Sequence, residues 1–259
     1  MDEPNVRVAI EDFIAVVTLD RPPVNATSRA MVLEIQAAFD SFNNNPNVRV
    51  AILVGAGKIF CAGADVKMRA SSLESGQAGQ PGSHALHARI GREGFYSIMD
   101  CEVPVIGALN GAAVGAGLAF AASCDYLIAS ETAFIALNEI NVGLLGGGRH
   151  AQRLLGTFGA RRLMYSGDRI HAAELLERNV VEKVVPAGAL MQEALAMARV
   201  IAEKSPTAIK MAKRAMNAVE FMSIRDGYRL EQTMTGELSR TEDAANAFVE
   251  KRKPIFKGS

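Results

Sequence analysis

Val105-Ile106-Gly107-Ala108-Leu109-Asn110-Gly111-Ala112-Ala113-Val114-Gly115-Ala116-Gly117-Leu118-Ala119 decides how this chain folds. A continuous apolar run, Val103–Leu109, has the length of a strand and ends in Asn110-Gly111, a pair suited to a tight turn. Small apolar residues follow, and Ala112–Ala122 reads as a buried helix. A run without polar alternation suits a strand covered on both faces. Strand, tight turn and buried helix together point to an α/β fold.

The same unit recurs outward from this stretch. Val50-Ala51-Ile52-Leu53-Val54 ends in Gly55, and Asp125–Ala129, Ala133–Ile135 and Val180–Val185 are similar runs. Val6–Ile10 and Ala15–Leu19 flank Glu11-Asp12 and read as a hairpin. Thr27 or Ser28 can cap a helix with Met31, Ile35, Ala38 and Phe39 on one face. Arg149–Tyr165 and Ala172–Arg178 also read as helices. After Ala189 the strand signals stop. Met191, Leu195, Ala198 and Ala202 repeat at helical spacing, and Ser205-Pro206 starts a second helix through Ile209, Ala212 and Met216. A third spans Ile224–Leu238 and a fourth Thr241–Lys251. The reading is an α/β core over 1–189 and a helical region over 190–259, whose apolar stripes need a surface on the core or on another subunit. Between core elements, Ser71–Ser83 is rich in Ser, Gly and Gln and reads as a flexible loop, either a lid or a surface insertion.

Composition excludes several classes. The chain has 259 residues, 49% of them apolar and 22% charged, enough to form a core and too apolar for intrinsic disorder. Lys and Arg number 28, as do Asp and Glu, and this zero net charge argues against nucleic acid as a partner. Cys61, Cys101 and Cys124 have no CxxC spacing and sit among apolar residues, so buried thiols are expected. The start, MDEPNVRVAIEDF, has no basic, apolar leader, and Ala112–Ala122 is about half the ~20 residues needed to span a bilayer. A soluble, cytoplasmic protein with no membrane partner is expected.

Familiar chemical motifs are missing. Gly55-Ala56-Gly57-Lys58 is followed by Ile59, so the hydroxyl a P-loop needs is absent. Gly115-Ala116-Gly117 lacks the third glycine of a dinucleotide fingerprint, and no HExxH or GxSxG occurs. His84 and His87 read as surface residues. What remains are two small-residue turns after buried strands, Ile59–Val66 and Val105–Ala119. Small side chains let a ligand approach backbone N–H groups, and two such donors aimed at one point form an oxyanion hole. Tight helix–strand packing explains the same composition, and on spacing alone it is the simpler reading.

At these residues a resemblance appears. Phe60-Cys61-Ala62-Gly63-Ala64-Asp65-Val66 is similar to the FxAGAD[IL] turn of the crotonase superfamily, the enoyl-CoA hydratase/isomerase family. Asn110-Gly111, Val114-Gly115-Ala116-Gly117 and Ser123-Cys124-Asp125 resemble its NGxAxGGGxE…CD segment. Asn138-Glu139, Val142-Gly143-Leu144, Gly146-Gly147-Gly148 and Gln152-Arg153-Leu154 resemble its PExxLGxxPGxGGxQRL block. Ala247-Phe248-Val249-Glu250-Lys251-Arg252-Lys253-Pro254 resembles its terminal helix and tail.

The resemblance implies a spiral of ββα repeats followed by a helical trimerisation region, in a homo-oligomer that is a trimer or a dimer of trimers. It implies an acyl-CoA thioester as substrate and no metal or redox cofactor. The thioester oxygen would be held by the N–H groups of Ala64 and Ala116. CoA would meet Val24, Ala62, Asp65 and Val66, with Phe248, Lys251 and Lys257 at the adenine and phosphate end. The family's hydratases carry one Glu after the GGG turn and another twenty residues later; this chain has Ala119 and Glu139. Syn hydration uses two groups gripping one water. A single Glu beside an oxyanion hole can instead shuttle an α-proton, which is Δ3 to Δ2 enoyl-CoA isomerisation. The alternatives are a 2-trans-enoyl-CoA hydratase with a non-standard second group (Glu74 is one candidate) and a non-catalytic acyl-CoA-binding protein.

Overall fold

The computed structural model describes residues 4–65 and 83–238. Residues 71–82 of the expected loop, with Glu74, and the helix expected over Thr241–Lys251 lie outside the described residues. The described strands are β1 (Val6–Glu11), β2 (Ile14–Leu19), β3 (Val50–Gly55), β4 (Val105–Leu109), β5 (Ala112–Val114), β6 (Tyr126–Ser130), β7 (Phe134–Ala136), β8 (Arg169–His171) and β9 (Lys183–Val185). The described helices are α1 (Arg29–Asp40), α2 (Ser83–Met99), α3 (Ala116–Ser123), α4 (Gly148–Ser166), α5 (Ala172–Glu177), α6 (Leu190–Ala202), α7 (Pro206–Val219) and α8 (Ile224–Leu238). None of them is long and apolar enough to cross a membrane.

The first two strands form the expected hairpin, with Val6 opposite Leu19 and Glu11 opposite Ile14. Its turn is Asp12-Phe13, at φ 48° and 65°, one residue later than the sequence suggested. This left-handed pair matches the twist of the strands it joins. Arg49 holds Phe13 there: its guanidinium lies 4.1 Å above the ring, and its backbone N–H donates to the Phe13 carbonyl at 2.8 Å.

From β2 onward the large sheet is parallel, in the order β1-β2-β3-β4-β6-β9. Alternate residues of β3 serve two cores. Ala51 and Leu53 pack with Met31, Ile35 and Phe39 of α1. Val50, Ile52 and Val54 pack with Leu190, Ala194, Ala198 and Ala202 of α6. Both faces are therefore apolar, which is why the strand reads as an unbroken run. The first helix of the C-terminal region thus finds its surface on the α/β core.

Two helices owe their close contact to single residues. Ser28 caps α1, its hydroxyl accepting from the Met31 N–H at 3.2 Å. On α2, a Cβ at Gly94 would lie 2.4 Å from Val32 Cγ1, so glycine lets α1 and α2 touch.

The second sheet, β5-β7-β8, corrects one expectation. Ala112–Ala122 is not a single helix: Ala112–Val114 is a strand paired with β7, and the helix begins at Ala116. Cys61 bridges to Ala113 and Thr27 to Ala64, so turns from successive strands stack beside this small sheet. All three cysteines are buried and free.

The helical region is locked to the core by one buried cation. Lys213 of α7 donates to Asp125 Oδ2 at 2.8 Å, to the Val103 carbonyl at 3.0 Å and to the Ile98 carbonyl at 3.3 Å. Further along, Met216, Phe221, Ile224 and Tyr228 are exposed apolar side chains.

Candidate active site

Two turns meet beyond the ends of β3 and β4. Asn110 clamps them, accepting from the Gly55 N–H at 3.1 Å and donating to the Gly57 carbonyl at 3.0 Å. Asn25, 2% exposed, adds a second clamp through its amide to the carbonyls of Ile59 at 2.7 Å and Ala56 at 3.0 Å. The Cys61 N–H donates to the Ala112 carbonyl at 3.0 Å, and the Cys61 carbonyl accepts from Val114 at 2.9 Å. A Cβ on Gly63 would stand 2.9 Å from the Val114 oxygen and 3.7 Å from the Ala116 nitrogen. The turn carrying Ala64 therefore lies directly against the start of α3.

This stacking frees two donors. Thr27 bonds to the Gly63 carbonyl at 2.7 Å and accepts from the Asp65 N–H at 3.2 Å, leaving the intervening Ala64 N–H directed elsewhere. Ala116 opens α3, and the carbonyl four residues back, Ala112, is already taken by Cys61. Among the described residues, neither the Ala64 nor the Ala116 N–H has an acceptor. The second donor also carries the positive end of an eight-residue helix.

Glu139 arrives from the small sheet. Register places Val114 beside Ala136, and the Gly115 N–H donates to the Ala136 carbonyl at 3.0 Å. The chain then turns through a 3-10 segment, Asn138–Val142, which lays the Glu139 carboxyl over Gly115. A Cβ at Gly115 would be 2.1 Å from Oε1 and 3.0 Å from Cδ, and Gly115 has φ 53°. Only glycine serves there. Leu137, Ile140, Leu144, Leu145 and Met164 line the adjoining niche. Oε2 is buried and, among the described residues, has no hydrogen-bond partner. Burial pushes the Glu139 carboxyl above its ordinary range, partly opposed by its own backbone N–H. A raised pKa makes a carboxylate a stronger base, better suited to accept and return a proton than an ordinary surface carboxylate.

The remaining expected residues fall into two groups. The Val24 carbonyl accepts from the Ala62 N–H at 3.1 Å, so Val24, Ala62, Ala64 and Asp65 share one rim. Val66, Phe248, Lys251 and Lys257 lie outside the described residues. Ala119 is buried on α3, so that helix offers no second carboxylate at this position. Sequence reasoning missed Arg21, which pairs with Asp65 at 2.7 Å and donates to the Ala26 carbonyl at 2.8 Å, holding the rim in shape.

A model of the family described as Enoyl-CoA hydratase/isomerase matches residues 9–259. The chain belongs to that family. It is 34% identical over 260 residues to a probable enoyl-CoA hydratase of Bacillus subtilis (strain 168), with 98% of each chain covered. It is 33% identical over 253 residues to a carnitinyl-CoA dehydratase of Salmonella typhimurium, covering 93% of this chain and 94% of that one. Among solved structures, an enoyl-CoA hydratase from Bacillus anthracis matches with a TM-score of 0.89 at 33% identity, covering 98% of this chain and 100% of that one. The fold is therefore the crotonase α/β fold, and the chain is an enoyl-CoA hydratase/isomerase family enzyme acting on acyl-CoA.

One departure from the family block becomes visible on this fold. Where the pattern ends Gly-Gly-x-Gln-Arg-Leu, this chain reads Arg149-His150-Ala151-Gln152-Arg153-Leu154. His150 sits in the first turn of α4, half-buried, its ring 4.9 Å from that of Phe95. The signal was present in the sequence, hidden beside the glycines that match.

Proposed function

We propose that this enzyme moves a proton at the α-carbon of an enoyl-CoA thioester and interconverts 3-enoyl and 2-enoyl forms. The observation that carries this reading is the Glu139 carboxyl lying over Gly115 at the start of α3, with one oxygen buried and, among the described residues, unpartnered. As carboxylate it takes a proton from C2 of the 3-enoyl thioester. The electron pair passes into the C2–C1 bond and onto the thioester oxygen, where the N–H groups of Ala64 and Ala116 receive the charge. Removing one donor of an oxyanion hole typically costs about 3–4 kcal/mol of transition-state stabilisation. The protonated Glu139 then returns its proton to C4, the double bond moves to C2–C3, and the carboxylate is regenerated. One group suffices, which agrees with Ala119 on α3.

The rim of Val24, Ala62 and Asp65 supports a CoA path along it; Val66, Phe248 and Lys251, expected to meet CoA as well, lie outside the described residues. The proposed reaction uses no cofactor beyond the CoA of the substrate. Exposed Phe221, Ile224 and Tyr228 support assembly of this chain into trimers or pairs of trimers. The test is mass spectrometry of a 3-enoyl-CoA and its 2-trans isomer in D₂O. Interconversion with deuterium entering the acyl chain supports the reading. No reaction and no α-deuterium with either thioester overturns it.

A further inference from the structure

The Ala64 and Ala116 N–H groups belong to different elements, so their convergence depends on where α3 sits. Ala64 lies on the turn after β3, and Ala116 opens α3. A Cβ at Gly117 would lie 2.2 Å from the Cys61 carbonyl oxygen, so the first turn of α3 presses directly on the turn that carries Ala64. Any slide or tilt of α3 changes the separation of the two donors.

Packing alone holds that position loosely. Every residue from Gly117 to Ser123 is buried, yet apart from Leu118 and Phe120 they are Gly, Ala or Ser. Small side chains leave few ridges to stop a helix moving along its axis. Directional bonds at a helix end can stop it, because the last carbonyls have no partner within the helix. Arg153 of α4 supplies them here. Its guanidinium donates to the Ala122 carbonyl and, at 3.3 Å, to the Cys124 carbonyl. The cation also stands at the negative end of α3, where its sign is favoured. At the other end of α3, a Cβ at Gly147, just before α4, would lie 3.8 Å from the Gly115 oxygen. The helix α4 thus meets α3 at both ends.

Arg153 is itself gripped by the helical region. Its Nε faces Glu220 Oε2 at 3.3 Å, with the Arg153 side chain only 21% exposed. Glu220 is the C-cap of α7. One turn back on α4, the Arg149 guanidinium lies 4.7 Å over the Phe221 ring. The planar fork of arginine suits this place, since its donors point in fixed, different directions and bind two elements at once.

We propose that Arg153 is a positioning residue for the oxyanion hole. By fixing the C-terminal end of α3 it sets the Ala116 N–H against the Ala64 N–H, and Glu220 ties that setting to the α7–α8 turn. Arg153 acts through α3, an eight-residue helix, and not on the acyl group. The inference rests on the reading of these two N–H groups as the partners of the thioester oxygen.

The test compares wild type with full-length Arg153→Met, which keeps an unbranched side chain and removes every donor. The readout is the carbonyl band of bound butyryl-CoA, labelled with ¹³C at its thioester carbon, by isotope-edited infrared difference spectroscopy. Two aligned donors draw this band below its frequency in free butyryl-CoA. In the variant the band should move back toward the free value, and α-deuterium exchange should slow about 100-fold, as for a misalignment of about 1 Å. The loss should fall on kcat and leave KM for butyryl-CoA nearly unchanged, because the contact strengthens as charge develops on the oxygen. A residue that served only the fold would lower the melting temperature and leave the band and rate of the folded enzyme as in wild type; that result overturns the proposal. Glu220→Ala carries the test if Arg153→Met does not fold, since it leaves Arg153 in place and removes only its carboxylate partner. Its band should shift the same way and its exchange slow about tenfold. A wild-type band and rate in that variant overturn the proposal as well. A bound carbonyl band in wild type that matches the free thioester would instead remove the oxyanion reading, and this inference with it.

Discussion

Gly115→Ala places a methyl group where the Glu139 carboxyl now lies. The added carbon would be 2.1 Å from Oε1, against about 3.4 Å for ordinary contact, so the carboxyl must retreat by about 1.3 Å. A misplacement of about 1 Å costs on the order of 100-fold in a reaction that depends on alignment. The backbone adds strain, because φ 53° with ψ −111° is a conformation that side chains disfavour. That strain is about 1–3 kcal/mol, within the stability of a typical domain. The variant should therefore fold, melt lower and exchange α-deuterium about 100-fold more slowly. Gly156→Ala separates the two effects: it has φ 65° and ψ −179° with nothing within 4 Å of an added Cβ. It should lose stability while exchanging at nearly the wild-type rate. The assay is deuterium incorporation into butyryl-CoA by mass spectrometry, beside a thermal melt. A folded Gly115→Ala enzyme that exchanges as fast as wild type would refute the placement of Glu139.

Further outcomes follow from other contacts. Burial raises the Glu139 pKa above 4.5, so its contribution to stability is full below that value and is lost as pH rises through the folded pKa. Glu139→Gln, which never ionises, should melt higher than wild type at neutral pH, with the gain gone below pH 4.5. In wild type the α-exchange rate should climb with pH through the same raised pKa, since the base must be ionised. Lys213→Met leaves Asp125 and two carbonyls without their cation and should cost about 3 kcal/mol in urea unfolding, near the lower end for a broken buried pair because Asp125 is partly exposed. Arg21→Ala removes the Arg21 ion pair from Asp65 and the Arg21 bond to the Ala26 carbonyl, and should weaken butyryl-CoA binding about tenfold by calorimetry, or about 1.4 kcal/mol; unchanged affinity would mean that Arg21 does not shape the rim for CoA.

The parts legible in the sequence were those with a period or a composition of their own. Strands covered on both faces showed as unbroken apolar runs because β3 and its neighbours supply two cores. The split of Ala112–Ala122 did not show, because small apolar residues have neither a strand nor a helix period. The break lies at Gly115, whose φ of 53° is visible only once Glu139 is packed above it. The helix α2 was unread for a related reason. Gly91 and Gly94 look like breakers, yet Gly94 is the contact that lets α1 approach. At the site, Glu139 stood out by context, whereas Arg21 acts through Asp65, 44 residues along the chain. No local pattern announces such a pairing.

The proposed role of Glu139 in moving the α-proton is tested by α-deuterium exchange of a saturated acyl-CoA in the Glu139→Gln variant. Butyryl-CoA should still bind, and exchange should fall at least about 1,000-fold, within the range for a lost acid–base group. Exchange near the wild-type rate in the folded, ligand-binding variant would mean that a group other than Glu139 moves the proton.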